Sequence, residues 1–167
     1  MTLAIWLDTL RHMATARKRP VRRPPPAPLA SSVGYAAYLG LTPSSAADLV
    51  DRITRGLAFS AFEHLRSAIA LSSAELAELA SITSRTLHRR KEEGRLQPDE
   101  SDRLVRLSRV FGRSVELFEG NTDEARHWLG APQPALGHRS PLAMATTEVG
   151  AREVEALIGR LEHGVFS

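Results

Sequence analysis

Between Ser84 and Lys91 the sequence sets four cations, Arg85, Arg89, Arg90 and Lys91, among eight positions without one acid. On a helix, such a run suits nucleic acid. Guanidinium forks can read base edges in a major groove, while the remaining Arg and Lys meet phosphates. Ser84, Thr86 and His88 add polar groups to the same stretch. A solvated helix face uses the same residue types, so the surrounding scaffold decides between the two.

That scaffold is present from Leu76 to Arg90, which reads as two short helices joined by a tight turn. Ala77 is small where the helices would press together, and Ile82 and Leu87 would anchor the turn and the second helix. Ser84, Arg85, Thr86, His88, Arg89, Arg90 and Lys91 are then expected to face outward as the DNA-binding set. Two positions depart from the pattern. Ser81 stands where Gly is usual, because a left-handed backbone is often needed there. Arg90 stands where an apolar residue often packs. One copy offers few contacts, so a symmetric homodimer reading two half-sites is the expected arrangement.

Other chemistries find little support. The 167 residues contain no Cys, which excludes disulfide scaffolds, zinc-thiolate sites, iron-sulfur clusters and cysteine nucleophiles. The six His, at 12, 64, 88, 127, 138 and 163, form no His-x-x-x-His or His-Glu-x-x-His pair, so no metal is expected. No Gly-x-Gly-x-x-Gly, Walker-type loop or Gly-x-Ser-x-Gly elbow occurs, and the sequence predicts a non-enzyme without cofactor.

The positioning elements follow from periodicity. Beyond Pro43 apolar residues recur at helical spacing and almost nothing alternates with period two, which predicts an all-α fold. The predicted helices are Pro43 to Arg55, Ser60 to Ala70, Ser73 to Leu79, Ser84 to Glu93 and Pro98 to Phe111, the last ended by Gly112. In it Leu104, Leu107 and Phe111 form a buried stripe, leaving Arg103, Arg106 and Arg109 on a wet, basic side. Asn121 caps a further helix carrying Trp128 and Leu129, which must stop before Pro132. A short helix is expected at Ser140-Pro141, and a longer one from about Thr147 to His163 buries Val154, Leu157, Ile158 and Leu161. Trp128, Leu136 and Leu142 read as core, and Pro132, Pro134 and Gly137 as shapers of a loop.

Charge divides unevenly along this plan. Residues 1–30 carry net +5, residues 31–118 net +1 and residues 119–167 net −3. The first segment is an amphipathic stretch near Leu3 to Ala16, followed by a Pro- and Arg-rich run to Pro28 that reads as an extended cationic linker. It serves equally as a solubilising tail or as a phosphate-contacting arm. Leu3 to Leu7 is too short and wrongly flanked for a signal peptide or a span, so a cytoplasmic protein without membrane insertion is expected.

The C-terminal block is more specific. Phe118-x-Gly120-Asn121, Ala125-x-x-Trp128-Leu129-x-x-Pro132-x-Pro134-Ala135-Leu136-Gly137-x-x-x-Pro141-Leu142, and Thr147-x-x-Gly150 through Glu162-His163-Gly164-Val165-Phe166 resemble the toxin-binding domain of Xre/MbcA/ParS antitoxins. Arg85-Thr86-Leu87-x-Arg89-Arg90 and Leu96-x-Pro98-x-Glu100-Ser101-x-Arg103-Leu104 are similar to the Xre-like helix-turn-helix that precedes it in that family. The resemblance covers roughly residues 60 to 167. It implies a helix-turn-helix domain over 60–118 and a toxin-binding domain over 119–167, which a basic, Pro-rich extension over 1–32 and a helical segment over 33–59 precede.

What the resemblance further implies is a type II antitoxin: a homodimer that binds and blocks a RES-domain toxin active on NAD and represses its own operon at operator DNA. It places Arg160, His163, Gly164, Val165, Phe166 and Ser167 at or near the toxin's active-site cleft. Val165 and Phe166 could instead fold back on their own bundle. Two other functions remain open: a stand-alone helix-turn-helix transcriptional regulator without a toxin partner, and an interaction protein whose helix-turn-helix no longer binds DNA.

Overall fold

Helix starts in this chain are written in short polar side chains. Ser45, Ser72, Thr83, Asn121, Ser140 and Thr147 each accept a hydrogen bond from a backbone N–H of the first helical turn. Such a cap satisfies donors that the helix itself cannot, and is worth about 1 kcal/mol. Ser72 and Glu75 cap reciprocally: the Ser hydroxyl accepts from Glu75 N at 3.2 Å and the Glu carboxylate from Ser72 N at 2.7 Å.

The computed structural model describes residues 33–164. A 3-10 helix (Gly34–Leu39) comes first. Then come α1 (Ala46–Thr54), α2 (Ser60–Ile69), α3 (Ser73–Leu79), α4 (Ser84–Glu93) and α5 (Pro98–Leu117). They are followed by α6 (Thr122–Gly130), a 3-10 turn (Pro134–Leu136), α7 (Pro141–Met144) and α8 (Glu148–His163). No named strand occurs among the described residues, and the fold is all-α. Two isolated antiparallel bridges tie loops, Ala58 to Arg95 and Gln133 to Arg139. No described helix is long and apolar enough to cross a membrane.

The main difference from the sequence reading is the length of α5. Gly112 does not end it; the helix runs on through Val115 to Leu117. Gly112 lies where the 3-10 helix crosses, and a Cβ there would stand 3.0 Å from Tyr35 Cβ. The residue is therefore small for close approach rather than for termination. Its helix-propensity penalty of about 1 kcal/mol is offset by packing around it. Phe111 is fully buried beside it, and Tyr38 meets the Phe111 ring edge-on at 4.8 Å between centroids. The N-terminal end of α1 also differs. It begins after Ser45 instead of at Pro43, because the Ser45 hydroxyl takes the cap.

The 3-10 helix, α1, α2, α6 and α8 all close on α5. Leu104, Leu107, Val110, Phe111 and Val115 are buried among α2, α6, α8 and the 3-10 helix. The expected apolar stripe on α8 is buried at Val154, Leu157 and Ile158, while Leu161 is partly covered. Leu136 and Leu142 are buried, and the half-buried Trp128 packs at 6.2 Å from Phe118. The expected wet side of α5 is another correction. Arg106 and Arg109 are covered by acids of α8, and Arg103 donates to the Ala80 carbonyl at the end of α3, 3.1 Å away.

At the start of α8, a Cβ on Gly150 would fall 2.0 Å from the Met144 carbonyl oxygen, so α7 and α8 turn on that glycine. Gly159, in the same helix, has no neighbour within 4 Å of its Cβ position. Gly150→Ala is expected to destabilise the fold by about 3 kcal/mol through overpacking against rigid backbone. Gly159→Ala is expected to stabilise it by about 0.8 kcal/mol through helix propensity. Urea unfolding of the two variants checks both signs.

Candidate functional site

The turn between α3 and α4 is built by backbone geometry that the sequence disguises. Ser81 adopts a left-handed conformation with φ 55°. Its N–H donates to the Glu78 carbonyl at 2.9 Å, and Ile82 N donates to the Ala77 carbonyl at 2.7 Å. This pair of bonds, with buried Ile82 behind it, is the Schellman helix ending usually made with glycine. Serine in that region costs on the order of 1 kcal/mol, which the buried turn overrides. The helix-turn-helix geometry is thus intact despite the missing glycine.

Thr83 then caps α4 through a 3.2 Å bond from Thr86 N. Ser84, Arg85, His88, Arg89 and Lys91 are exposed and Thr86 is half-buried. Arg85 and Lys91 have no carboxylate at ion-pair distance among the described residues, whereas Arg89 lies 3.8 Å from Glu93 and His88 lies 3.4 Å from Glu92. An open helix face with two uncompensated cations near its ends can approach a polyanion without first breaking internal pairs.

Arg90 corrects the sequence reading, which counted it with the outward set. It shares the inward side with Leu87, which packs against the core, and is only 7% exposed. Its Nε donates to both Glu100 carboxylate oxygens, at 3.0 and 2.8 Å, and Nη1 donates to Glu93 at 2.8 Å. Those hydrogen bonds raise the guanidinium's already high pKa. Glu100 also accepts from Gln97 N at 2.8 Å, capping α5. One carboxylate therefore starts α5 and holds α4 against it. Glu100 is the residue sequence reasoning missed, although an acid in the first turn of the helix following a misplaced Arg was its signal.

The second surface lies at the end of α8. Arg160 is half-buried, and His163 and Gly164 are exposed, with Gly164 closing the helix at φ 63°. Val165, Phe166 and Ser167, expected at the toxin, lie outside the described residues, as does the extension over 1–32. What fixes α8 is a ladder of ions along α5. Arg106 meets Glu148 at 3.2 Å, Arg109 meets Glu155 at 2.6 Å and Glu148 at 3.1 Å, and Arg113 meets Glu162 at 3.0 Å. Acids seven residues apart on α8 present one face to the arginines. Arg106 also donates to the Thr146 carbonyl at 3.0 Å, tying down the segment before α8.

Burial raises the pKa of Glu148, but hydrogen bonds from Arg152, Arg109 and Arg106 and the charge of Arg109 outweigh it. Its carboxyl therefore ionises below the ordinary value of 4.5.

Two family models match the chain. Residues 48–109 match the antitoxin Xre-like helix-turn-helix domain, and residues 113–164 match the antitoxin Xre/MbcA/ParS C-terminal toxin-binding domain. The chain is 40% identical over 143 residues to an "Antitoxin Xre" of Yersinia enterocolitica, covering 85% of this chain and 97% of that protein. It is 34% identical over 130 residues to an "Antitoxin Xre" of Photorhabdus laumondii, covering 77% and 88% of the two chains. An "Antitoxin Xre" of Pseudomonas putida is 32% identical over 114 residues, covering 68% and 70%.

Glu100→Ala strands the buried Arg90 with a single partner and is expected to cost about 3 kcal/mol of stability. Arg85→Ala on the open face is expected to change it by less than about 0.5 kcal/mol. Thermal unfolding monitored by circular dichroism separates the two. A carboxyl with a depressed pKa stabilises the fold above its unfolded value, and that contribution is lost as pH falls through the folded one. Tm is therefore expected to drop below pH 4.5, and Glu148→Gln to lower Tm at neutral pH while shrinking the acid loss.

Proposed function

The chain belongs to the Antitoxin Xre family, and on that premise we propose that it is the antitoxin of a bacterial type II pair whose toxin is a RES-domain enzyme active on NAD. It acts in the cytoplasm as a non-enzymatic homodimer. The toxin-binding half holds the toxin at the end of α8, with Arg160, His163, Gly164 and the following Val165, Phe166 and Ser167 at or near its active-site cleft. The helix-turn-helix half represses the operon through Ser84, Arg85, Thr86, His88, Arg89 and Lys91 at operator DNA.

The observation that carries this reading is the pairing, on one chain, of an intact helix-turn-helix, whose α4 presents Arg85 and Lys91 without a carboxylate at ion-pair distance among the described residues, with a separate C-terminal helix end. The DNA contacts divide by position: side chains near the start of α4 face base edges, and Lys91 faces the backbone.

Co-expression of the tagged chain with the product of its neighbouring gene tests the proposal. A stable complex is expected, and the freed partner alone depletes NAD. Within that system Arg85→Ala with Arg89→Ala is expected to weaken promoter binding at least about tenfold while leaving neutralisation intact. Removal of residues 164–167 is expected to do the reverse. A lone dimer that binds its promoter and captures no toxin overturns the antitoxin reading in favour of a stand-alone regulator.

A further inference from the structure

Most cations among the described residues are neutralised by a carboxylate at ion-pair distance. The exceptions are Arg55, Arg85, Lys91, Arg95, Arg139 and Arg160. Arg85 and Lys91 belong to α4. Arg95 directly follows Gly94, the left-handed cap of α4. Arg55 is distant in sequence yet adjoins Arg95, because the Ala58 to Arg95 bridge draws the end of α1 beside the end of α4. Three of the six uncompensated cations thus lie on one helix and the loop that leaves it, and a fourth, Arg55, stands beside that loop at the end of α1.

We propose that Arg55 and Arg95 form a phosphate-binding clamp at the C-terminal end of α4 that grips the DNA backbone flanking the groove. The proposal rests on the DNA-binding reading of α4. Both side chains are exposed, and both are held by backbone carbonyls instead of acids. Arg95 Nη1 donates to the carbonyls of Arg55 and Gly56, each at 3.0 Å, and Arg55 Nε donates to the Asp51 carbonyl at 3.1 Å. A carbonyl orders a guanidinium without cancelling its charge. Each Arg keeps further N–H donors free, in the planar fork that suits a phosphate. Asp51 shares this corner, but its carboxylate makes no ion pair with either Arg, and Glu93 is occupied by Arg89 and Arg90.

Length supports the placement. The ten residues of α4 span about 15 Å, against a major groove about 12 Å wide. With the start of α4 at the base edges, its far end emerges at the phosphate wall. Contacts there add affinity without sequence preference.

The test compares the full-length wild type with Arg55→Gln, Arg95→Gln and the double variant, using Arg139→Gln as a control cation elsewhere. Fluorescence anisotropy on the chain's own promoter duplex and on a scrambled duplex is read across a salt series, with Tm recorded for each protein. The double variant is expected to lose about 1 to 2 from the slope of log K against log salt, and to weaken binding to both duplexes by the same factor. Arg95→Lys is expected to recover the slope, and Arg139→Gln to leave it unchanged.

An unchanged slope with a lowered Tm means that the two arginines only cap α1, and overturns the clamp. Loss confined to the promoter duplex makes the contact a base contact and also overturns it. Wild-type protein that binds neither duplex removes the DNA-binding reading itself, and the clamp with it. Should Arg95→Gln fail to fold, Arg55→Gln alone, which gives up one exposed hydrogen bond at a helix end, carries the same readout.

Discussion

The unbroken run of α5 through Gly112 is the constraint on which the rest of the structure rests. A helix ending at Phe111 would leave Ser114 and Val115 without their place in the core, and would remove Arg113 from its pair with Glu162. Because the helix continues, one rod carries the buried stripe from Leu104 to Val115 and presents three arginines along its flank to α8. The 3-10 helix closes on the rod only where a glycine lets Tyr35 approach. A local backbone choice therefore sets the global packing. At Gly112 an added Cβ would stand 3.0 Å from Tyr35 Cβ, so a side chain there would push the 3-10 helix off the rod by a few tenths of an ångström.

Electrostatics then separates structure from surface. Arginine is the commonest cation in the chain, and type alone does not say which arginine does what. Arg106, Arg109 and Arg113 of α5 are consumed by acids of α8, Arg103 by Asp99 of its own helix, and Arg90 by Glu100. Four of the six uncompensated ones lie on or beside α4. Partly covered pairs such as Arg109 with Glu155 gain more from their geometry than fully exposed ones do, since water screens them less. The same residue type is therefore a fastener on one helix and a free charge on the next, and the difference lies in whether a carboxylate reaches it, ten residues away for Arg90 and 39 to 49 residues away for the arginines that face α8.

Much of this was legible in the residues. The cap at Asn121, the start of α8 near Thr147 and the apolar stripes of α5 and α8 located those elements, because capping and helical period are local rules. The failures share one cause. Gly112 reads as a stop because glycine usually is one, and only the crossing 3-10 helix shows why it is not. Arg90 reads as surface because charge usually is, and its partner lies ten residues on. Gln133 stands between two prolines without any signal, yet it is buried and its side chain donates to the carbonyls of Trp128 and Ala131, holding the loop closed. Each depends on contact between segments, which no single-sequence periodicity encodes. The turn at Ser81 is the converse: the residue is atypical, and the tertiary fold imposes the conformation anyway.

Twenty residues of α5 extend about 30 Å, with the grip on α4 at one end and the grip on α8 along the other half. The helix is in effect a ruler with two pointers soldered to it. Whatever sits at the tip of α8 is registered, in distance and in rotation, to whatever lies against α4 through one unbroken helix. Inserting a single residue into the middle of the rod would turn one pointer by about 100° relative to the other. The chain can therefore drift in the composition of both surfaces far more freely than in the number of residues that separates them.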